Sequence, residues 1–327
     1  MGFTYHLTNK KDNQATQVSF LEYISTVTKK VLITGSNGLL GQKLLDKLRN
    51  NSTYTVIATA KGVDRYLEEG YSYESLDVTN HAEVIAIMQK HKPDHVIHTA
   101  AMTNVDACES DKELCKKLNV DAVQYFIEAC KQTGAHFIHL STDFIFDGAD
   151  GPYDENAVAN PLSYYGQTKL ESELLLINSD IAYAILRTII VYGVVKDMSR
   201  SNIILWAKGA LEKGQKINVV NDQYRNPTLA EDLADICVLA MEKRAQGIYN
   251  ASGKDFMSIL EIVERVADFW NLDKSLITPI SAETLNQSAK RPVKTEFILD
   301  KSVKELGYNP HSFEEGLKIV NNQLNHN

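Results

Sequence analysis

Tyr165 and Lys169 are the residues whose types and spacing most plainly suggest chemistry. In Tyr165-Gly166-Gln167-Thr168-Lys169 they stand four apart, a spacing that on a helix stacks them on one face and sets a cation beside a phenol. A free tyrosine titrates near about 10, and a neighbouring ammonium lowers that value towards neutrality, which makes a usable general acid. Thr142, in Ser141-Thr142-Asp143, ends a strand-like run and is placed to donate to the same acceptor as the phenol. A Tyr and a Lys at this spacing also occur on ordinary solvated helix faces, so the surroundings decide.

Upstream, Val31 to Thr34 runs into Thr34-Gly35-Ser36-Asn37-Gly38-Leu39-Leu40-Gly41, a Gly-x-x-Gly-x-x-Gly turn ahead of a helix-like GQKLLDKLRN. Strand, glycine turn and helix in this order suit a dinucleotide. The glycines allow a tight turn, let a pyrophosphate approach the backbone and let the helix pack on the strand, while the helix N-terminus faces the negative charge. Gly35, Asn37, Gly38, Leu39, Leu40 and Gly41 are therefore cofactor-binding candidates. The positive charge of an oxidised nicotinamide would join Lys169 in lowering the phenol. The second strand ends Ala58-Thr59-Ala60-Lys61, with no acid for a ribose 2′-hydroxyl. Lys61 or Arg65 is left to meet a 2′-phosphate, so NADP(H) is favoured and NAD(H) is the second choice; the plainer alternative is a solvated charged loop. Asp77, followed by Val78, is placed to accept from an adenine amino group or to act as a capping or turn aspartate.

A scaffold that presents these residues together follows from the pattern along the chain. VLIT, the glycine turn and its helix lead to the strand YTVIATA, a helix at His81 to Lys90 and a strand at Asp94 to Thr99. A helix near Leu118 to Thr133, a strand at Ala135 to Ser141, a Tyr-rich helix at about Ser163 to Asn178 and a strand at Ala182 to Thr188 continue the alternation. That is the order of an α/β fold, a Rossmann-type doubly wound parallel sheet of about six strands. After Gly193 the rhythm loosens, and Gly247 to Ala251 reads as a strand returning to the sheet. Residues 1–29 form an unassigned N-terminal extension; 30–193, with about 227–252, the dinucleotide-binding domain; and about 194–226 and 253–322 a smaller, discontinuous C-terminal substrate-binding lobe.

Composition excludes several function classes. A chain of 327 residues that is 44% hydrophobic can bury a sizeable core. A net charge of -8 without a basic stripe argues against nucleic acid as a partner. The absence of an apolar run of about 18 residues or of a basic-then-apolar leader argues against a membrane span or export, so a cytoplasmic protein is expected. Cys108, Cys115, Cys130 and Cys237 form no Cys-x-x-Cys pair and read as reduced, buried thiols rather than metal ligands. His95/His98 and His136/His139 are spaced by three on strands, which points each pair to opposite faces and against a shared metal. Tyr71/Tyr73 and Phe269-Trp270 read as loop packing and lobe core.

Together the glycine turn, the strand-terminal Ser141-Thr142 and the Tyr165/Lys169 pair resemble the extended short-chain dehydrogenase/reductase family, from Lys30 to about Leu317. Within it the likeness is to the dTDP-4-dehydrorhamnose reductase branch. It is carried by AAMTNVD (Ala100 to Asp106), STDFIFDG (Ser141 to Gly148), RTIIVYG (Arg187 to Gly193), NDQYRNPT (Asn221 to Thr228) and Lys290-Arg291-Pro292. The resemblance implies a catalytic set of Thr142, Tyr165 and Lys169, with Asn119 the helix residue linked to it. It also implies that Ala100, Ala101 and Ser141 lie along the cofactor and that Thr103 and Val105 line a sugar pocket. Arg291, with Arg225 as a second candidate, suits the diphosphate of a nucleotide-sugar substrate; the plainer alternative for either is an ordinary surface arginine. The implied reaction is reduction of the 4-keto group of a nucleotide-linked 6-deoxysugar; a homodimer is a further expectation.

Three departures from that branch fall in the substrate region: Phe144 where a tyrosine is common, Ile190 where a tryptophan often precedes Val-Tyr-Gly, and Arg225-Asn226 in place of a glycine-containing pair. Related 4,6-dehydratases carry a glutamate where Phe144 stands, which disfavours dehydration, and the missing acid after the second strand weakens epimerisation. The chain is also similar to the NADP-binding regulatory beta subunit of methionine adenosyltransferase, which keeps a non-catalytic reading open.

Overall fold

The structure, a computed structural model, describes residues 28–196, 201–285 and 287–326, so the N-terminal extension expected at 1–29 lies almost wholly outside the described residues. Short apolar runs with little polar alternation form most of the strands, covered on both faces as a parallel sheet requires, and the polar run SYES forms a partly exposed strand at one edge. They are β1 (Lys29–Thr34), β2 (Tyr54–Ala60), β3 (Ser72–Ser75), β4 (His95–His98), β5 (His136–Thr142), β6 (Tyr183–Thr188) and β7 (Gly247–Asn250). The sheet order is β7-β6-β5-β4-β1-β2-β3 and every pairing is parallel. β7, the strand expected to return from the C-terminal region, pairs with β6 and makes seven.

Strand order reverses between β1 and β4, and in open α/β sheets the ligand crevice lies beyond the carboxyl ends at that point. The register brings those ends level: Thr34 faces Thr59 and His98, His98 faces His139, and Thr142 faces Thr188. Helices cover both sides. α1 (Leu39–Leu48) and α6 (Ala230–Glu242) bury Leu44, Leu45, Leu233 and Ile236 on one face. α2 (His81–His91) and α3 (Ala122–Thr133) bury Val84, Met88, Val123 and Phe126 on the other. Asn80 caps α2 by accepting from the Ala82 and Glu83 amides, and Gly134, at φ +73°, ends α3 in the left-handed conformation that glycine adopts without strain.

The helix expected near Leu118 to Thr133 has a different start. A π-helical turn at Lys117–Asp121 links the short helix Lys112–Lys116 to α3 and turns Asn119 inward. α4 (Tyr164–Ile177) begins at Ser163, whose hydroxyl accepts from the Gly166 amide at 3.2 Å. A third core gathers α5 (Ile203–Glu212), α7 (Ile259–Phe269) and α8 (Phe313–His326) around Ile204, Val219, Ile262, Val266 and Leu317. The Phe269 and Trp270 rings meet edge to face against it, 4.7 Å apart. Among the described residues no helix is long and apolar enough to cross a membrane.

Candidate active site

A cleft of about 650 Å³ opens over the carboxyl ends of β1, β4 and β5. The turn residues Gly35, Asn37, Gly38, Leu39 and Leu40 line it, as do Lys61, Asp77 and Val78 beyond β2 and β3. Ala100, Ala101, Thr103 and Val105 after β4, Ser141, Thr142 and Phe144 at the end of β5, and Tyr165 and Lys169 on α4 complete the expected set. Gly41, Asn119, Arg225 and Arg291 are not on its wall, and each has a different employment.

At the glycine turn, Gly35 sits at φ +67° and its carbonyl accepts from the Gly38 amide at 2.8 Å. A Cβ on Gly41 would lie 2.4 Å from that carbonyl, so Gly41 serves the packing of α1 on the turn rather than contact with a ligand. Asn37 fastens the turn to the following loop, donating to the Val63 carbonyl at 2.8 Å and accepting from the Arg65 amide at 2.9 Å. Of the two cations offered for a 2′-phosphate, Lys61 is paired with Asp77 at 2.7 Å. That lysine, with the Thr79 hydroxyl, holds the Asp77 carboxyl below its usual range, and Asp77 also accepts from the Thr79 amide, as a turn aspartate does. The Arg65 guanidinium, on the same wall, makes no ion pair among the described residues. Ser141 Oγ is buried in the cleft wall and has no hydrogen-bond partner among the described residues. An orphaned hydroxyl, a glycine turn and a free guanidinium suit a ribose and a phosphate.

Towards the other end, α4 presents Tyr165 and Lys169, both nearly fully buried. The first turn of α4 lies against the loop after β5: a Cβ on Gly166 would stand 2.1 Å from the Phe144 carbonyl, so only glycine permits the approach. The Phe144 ring meets the Tyr165 ring edge-on at 5.6 Å. Burial pushes the Tyr165 phenol up, and the Thr142 hydroxyl beside it opposes the shift. Burial thus acts against the lowering that the Tyr165/Lys169 spacing suggests, and in this apolar setting the phenol is neutral. Burial lowers the Lys169 ammonium to about 8, against an opposing pull from Glu173. Its Nζ lies 3.2 Å from His139 Nε2.

Thr142 is held by its neighbours. Its hydroxyl donates to Asp143 Oδ1 at 3.1 Å and accepts from the Phe144 amide at 3.2 Å. Asp143, which sequence reasoning passed over, also accepts from the Thr295 hydroxyl at 2.6 Å and pairs with Arg225 Nε at 3.2 Å. Arg225 is thus corrected from a ligand contact to an internal tie. Only 2% exposed, it donates to Asp143 and to the Tyr224, Pro292 and Val293 carbonyls. Arg291 is engaged as well: its guanidinium donates to Asp106 at 2.5 Å, and the same carboxylate accepts from the Ser288 hydroxyl and the Ala289 amide. Asn119 acts as a bracket. Its amide exchanges hydrogen bonds with the Met102 backbone at 2.9 and 3.1 Å and donates to Thr168 Oγ1 at 3.2 Å, joining the segment after β4 to α4.

Ile190, on the cleft wall, has φ +26°, a conformation that β-branched residues rarely adopt. The strand pairing of Val191 and Tyr192 with Thr228 and Leu229 holds it there. The histidines form cross-strand pairs, His95 with His136 at 5.6 Å and His98 stacked on His139 at 6.0 Å, an arrangement that in-strand spacing does not reveal.

Comparison with known proteins agrees with this geometry. The chain is 33% identical to methionine adenosyltransferase 2 subunit beta from Xenopus tropicalis over 80% of its length and 78% of that protein's. It is 30% identical to dTDP-4-dehydrorhamnose reductase from Aggregatibacter actinomycetemcomitans, over 89% of this chain and 98% of that one. The crystal structure of dTDP-4-dehydrorhamnose reductase from Bacillus anthracis, in complex with NADP, superposes with a TM-score of 0.81 at 27% identity, covering 91% of this chain and all of that one. The family profile described as RmlD substrate binding domain matches residues 29–326, nearly everything the structure describes, so the chain belongs to that family of extended short-chain dehydrogenases/reductases.

Proposed function

We propose that the chain reduces the 4-keto group of a nucleotide-linked 6-deoxysugar with NADPH, as a dTDP-4-dehydrorhamnose reductase. The observation that carries this is the meeting of Thr142, Tyr165 and Lys169 in the one cleft that also holds the glycine turn. A reduced nicotinamide bound along Ala100, Ala101 and Ser141 would supply the hydride. The protein's own part is positioning and proton transfer. Tyr165, kept neutral by burial, gives its proton to the oxygen as negative charge develops. Thr142 donates to the same oxygen once its hydroxyl turns from Asp143. Lys169, still largely an ammonium at neutral pH, holds the nicotinamide ribose. Phe144 puts a ring where elimination would need a carboxylate, which favours simple reduction.

Arg65 is the residue for the 2′-phosphate in this reading, with Lys61 neutralised by Asp77. The cluster around α5, α7 and α8, which lies mostly within 194–226 and 253–322, would be the lobe over the sugar nucleotide, and Thr103 and Val105, on the cleft wall, would line the sugar pocket. Supplying dTDP-4-dehydro-6-deoxy-L-mannose with NADPH tests the reading: cofactor oxidation dependent on the sugar supports it, and tight NADPH binding without turnover on any nucleotide-linked keto-sugar refutes it. A regulatory reading draws on the 33% identity to the methionine adenosyltransferase beta subunit. It predicts no turnover and a changed rate of methionine adenosyltransferase when the chain is added.

A further inference from the structure

Lys169 does not meet the cleft alone. Its Nζ lies 3.2 Å from Nε2 of His139, whose ring is 1% exposed, and the same Nε2 lies 2.9 Å from Ser172 Oγ. Ser172 donates to the Lys169 carbonyl at 2.7 Å, so the contact closes on the lysine's own backbone. Behind His139 the His98 ring is stacked, and His98 Nδ1 lies 2.9 Å from the hydroxyl of Thr34, the last residue of β1 before the glycine turn. Burial keeps both imidazoles neutral, so each has one donor and one acceptor nitrogen.

An ammonium only donates. Beside a charged Lys169, Nε2 must be the bare acceptor and the ring proton sits on Nδ1, which has no partner among the described residues, while the Ser172 hydroxyl turns its proton from the Lys169 carbonyl towards Nε2. Beside a neutral amine, Nε2 can instead carry the proton and donate to Ser172, whose own proton stays on the Lys169 carbonyl. The charge of Lys169 and the tautomer of His139 are thereby coupled. Other groups facing the lysine are Glu173 one turn further along α4, Cys115 from the helix Lys112–Lys116, Tyr165 one turn back, and His98 behind His139.

We propose that His139 is a positioning residue for Lys169, a neutral acceptor that aims the ammonium into the cofactor cleft and preserves its charge. Its catalytic consequence rests on the reductase reading above; the contact itself does not. The test follows NADPH binding by the cofactor's own fluorescence from pH 6 to 10 in the full chain, without sugar, in wild type, His139→Asn and His139→Gln. In the wild type, affinity declines as the ammonium is lost. The asparagine amide stops one methylene short of the lysine, and losing one charge-assisted hydrogen bond moves that decline about one pH unit lower. The glutamine carbonyl reaches Nζ and restores the wild-type midpoint. A midpoint unmoved in His139→Asn, or displaced equally in a folded His139→Gln, overturns the proposal, and the glutamine result alone decides it if the asparagine variant does not fold. Because no keto-sugar is present, failure of the reductase reading leaves this result readable.

Discussion

The two ends of the cleft hold their charges differently. On the side of the glycine turn two polar groups are left open, since Ser141 Oγ lacks a partner and the Arg65 guanidinium makes no ion pair among the described residues, while Lys61 is paired with Asp77. At the substrate end the cations are already engaged, Arg225 with Asp143 and Arg291 with Asp106. The first end is a preformed receptor for an anion. The second is built from internal ties, so under the proposed function specificity would rest on apolar walls such as Phe144 and Ile190, or on ties that substrate must exchange.

Several substitutions test that contrast. The largest effect is expected at the buried tie. Asp143→Ala leaves a desolvated guanidinium unpaired and should cost roughly 3–5 kcal/mol of stability in chemical denaturation. Adding Arg225→Met should recover part of that loss, because the uncompensated charge is then gone. Acid should come next. Burial lowers His95 to about 4 and His98 to about 3, so the fold keeps them neutral where the unfolded chain is protonated. Stability should therefore fall as pH drops from about 6.5 to about 5.5, by up to about 1.4 kcal/mol for each such histidine, as pH-dependent thermal unfolding would show.

Gly166→Ala should cost about 1–3 kcal/mol and lower turnover, since the new Cβ forces the start of α4 off the Phe144 carbonyl. At the open end, Arg65→Ser should weaken NADPH binding about tenfold, about 1.4 kcal/mol, and leave NADH binding unchanged. An equal loss for both cofactors would place the 2′-phosphate elsewhere. The smallest effect is expected at the half-exposed tie: Asp106→Asn should shift unfolding by less than about 1 kcal/mol and leave NADPH affinity untouched.

What the sequence made legible is local in origin. A glycine turn between a buried strand and a helix, and a Tyr and a Lys one helical turn apart, are short-range patterns set by backbone geometry, and the structure brings them together as expected. Asn119 was found only through resemblance, since its inward aim depends on a π-helical turn that no periodicity announces. The ties of Arg225 and Arg291 were not legible because their partners Asp143 and Asp106 are remote in the chain, so sequence spacing says nothing of the pairing. Burial misled in the same way. A phenol beside a lysine reads as lowered until the structure shows how little water reaches it. His139 is weighed from sequence only as half of a metal pair with His136, because nothing in the spacing of an apolar strand points it to Lys169 on a distant helix.

Tyr165→Phe provides the most direct test. The substitution removes the proton donor and one hydroxyl while keeping the ring beside Phe144. In the presence of NADPH and dTDP-4-dehydro-6-deoxy-L-mannose, sugar-dependent NADPH oxidation should fall by at least about a hundredfold with NADPH affinity nearly unchanged. Turnover at the wild-type rate in that variant would contradict the assignment of Tyr165 as the acid, and with it the chemistry proposed for the cleft.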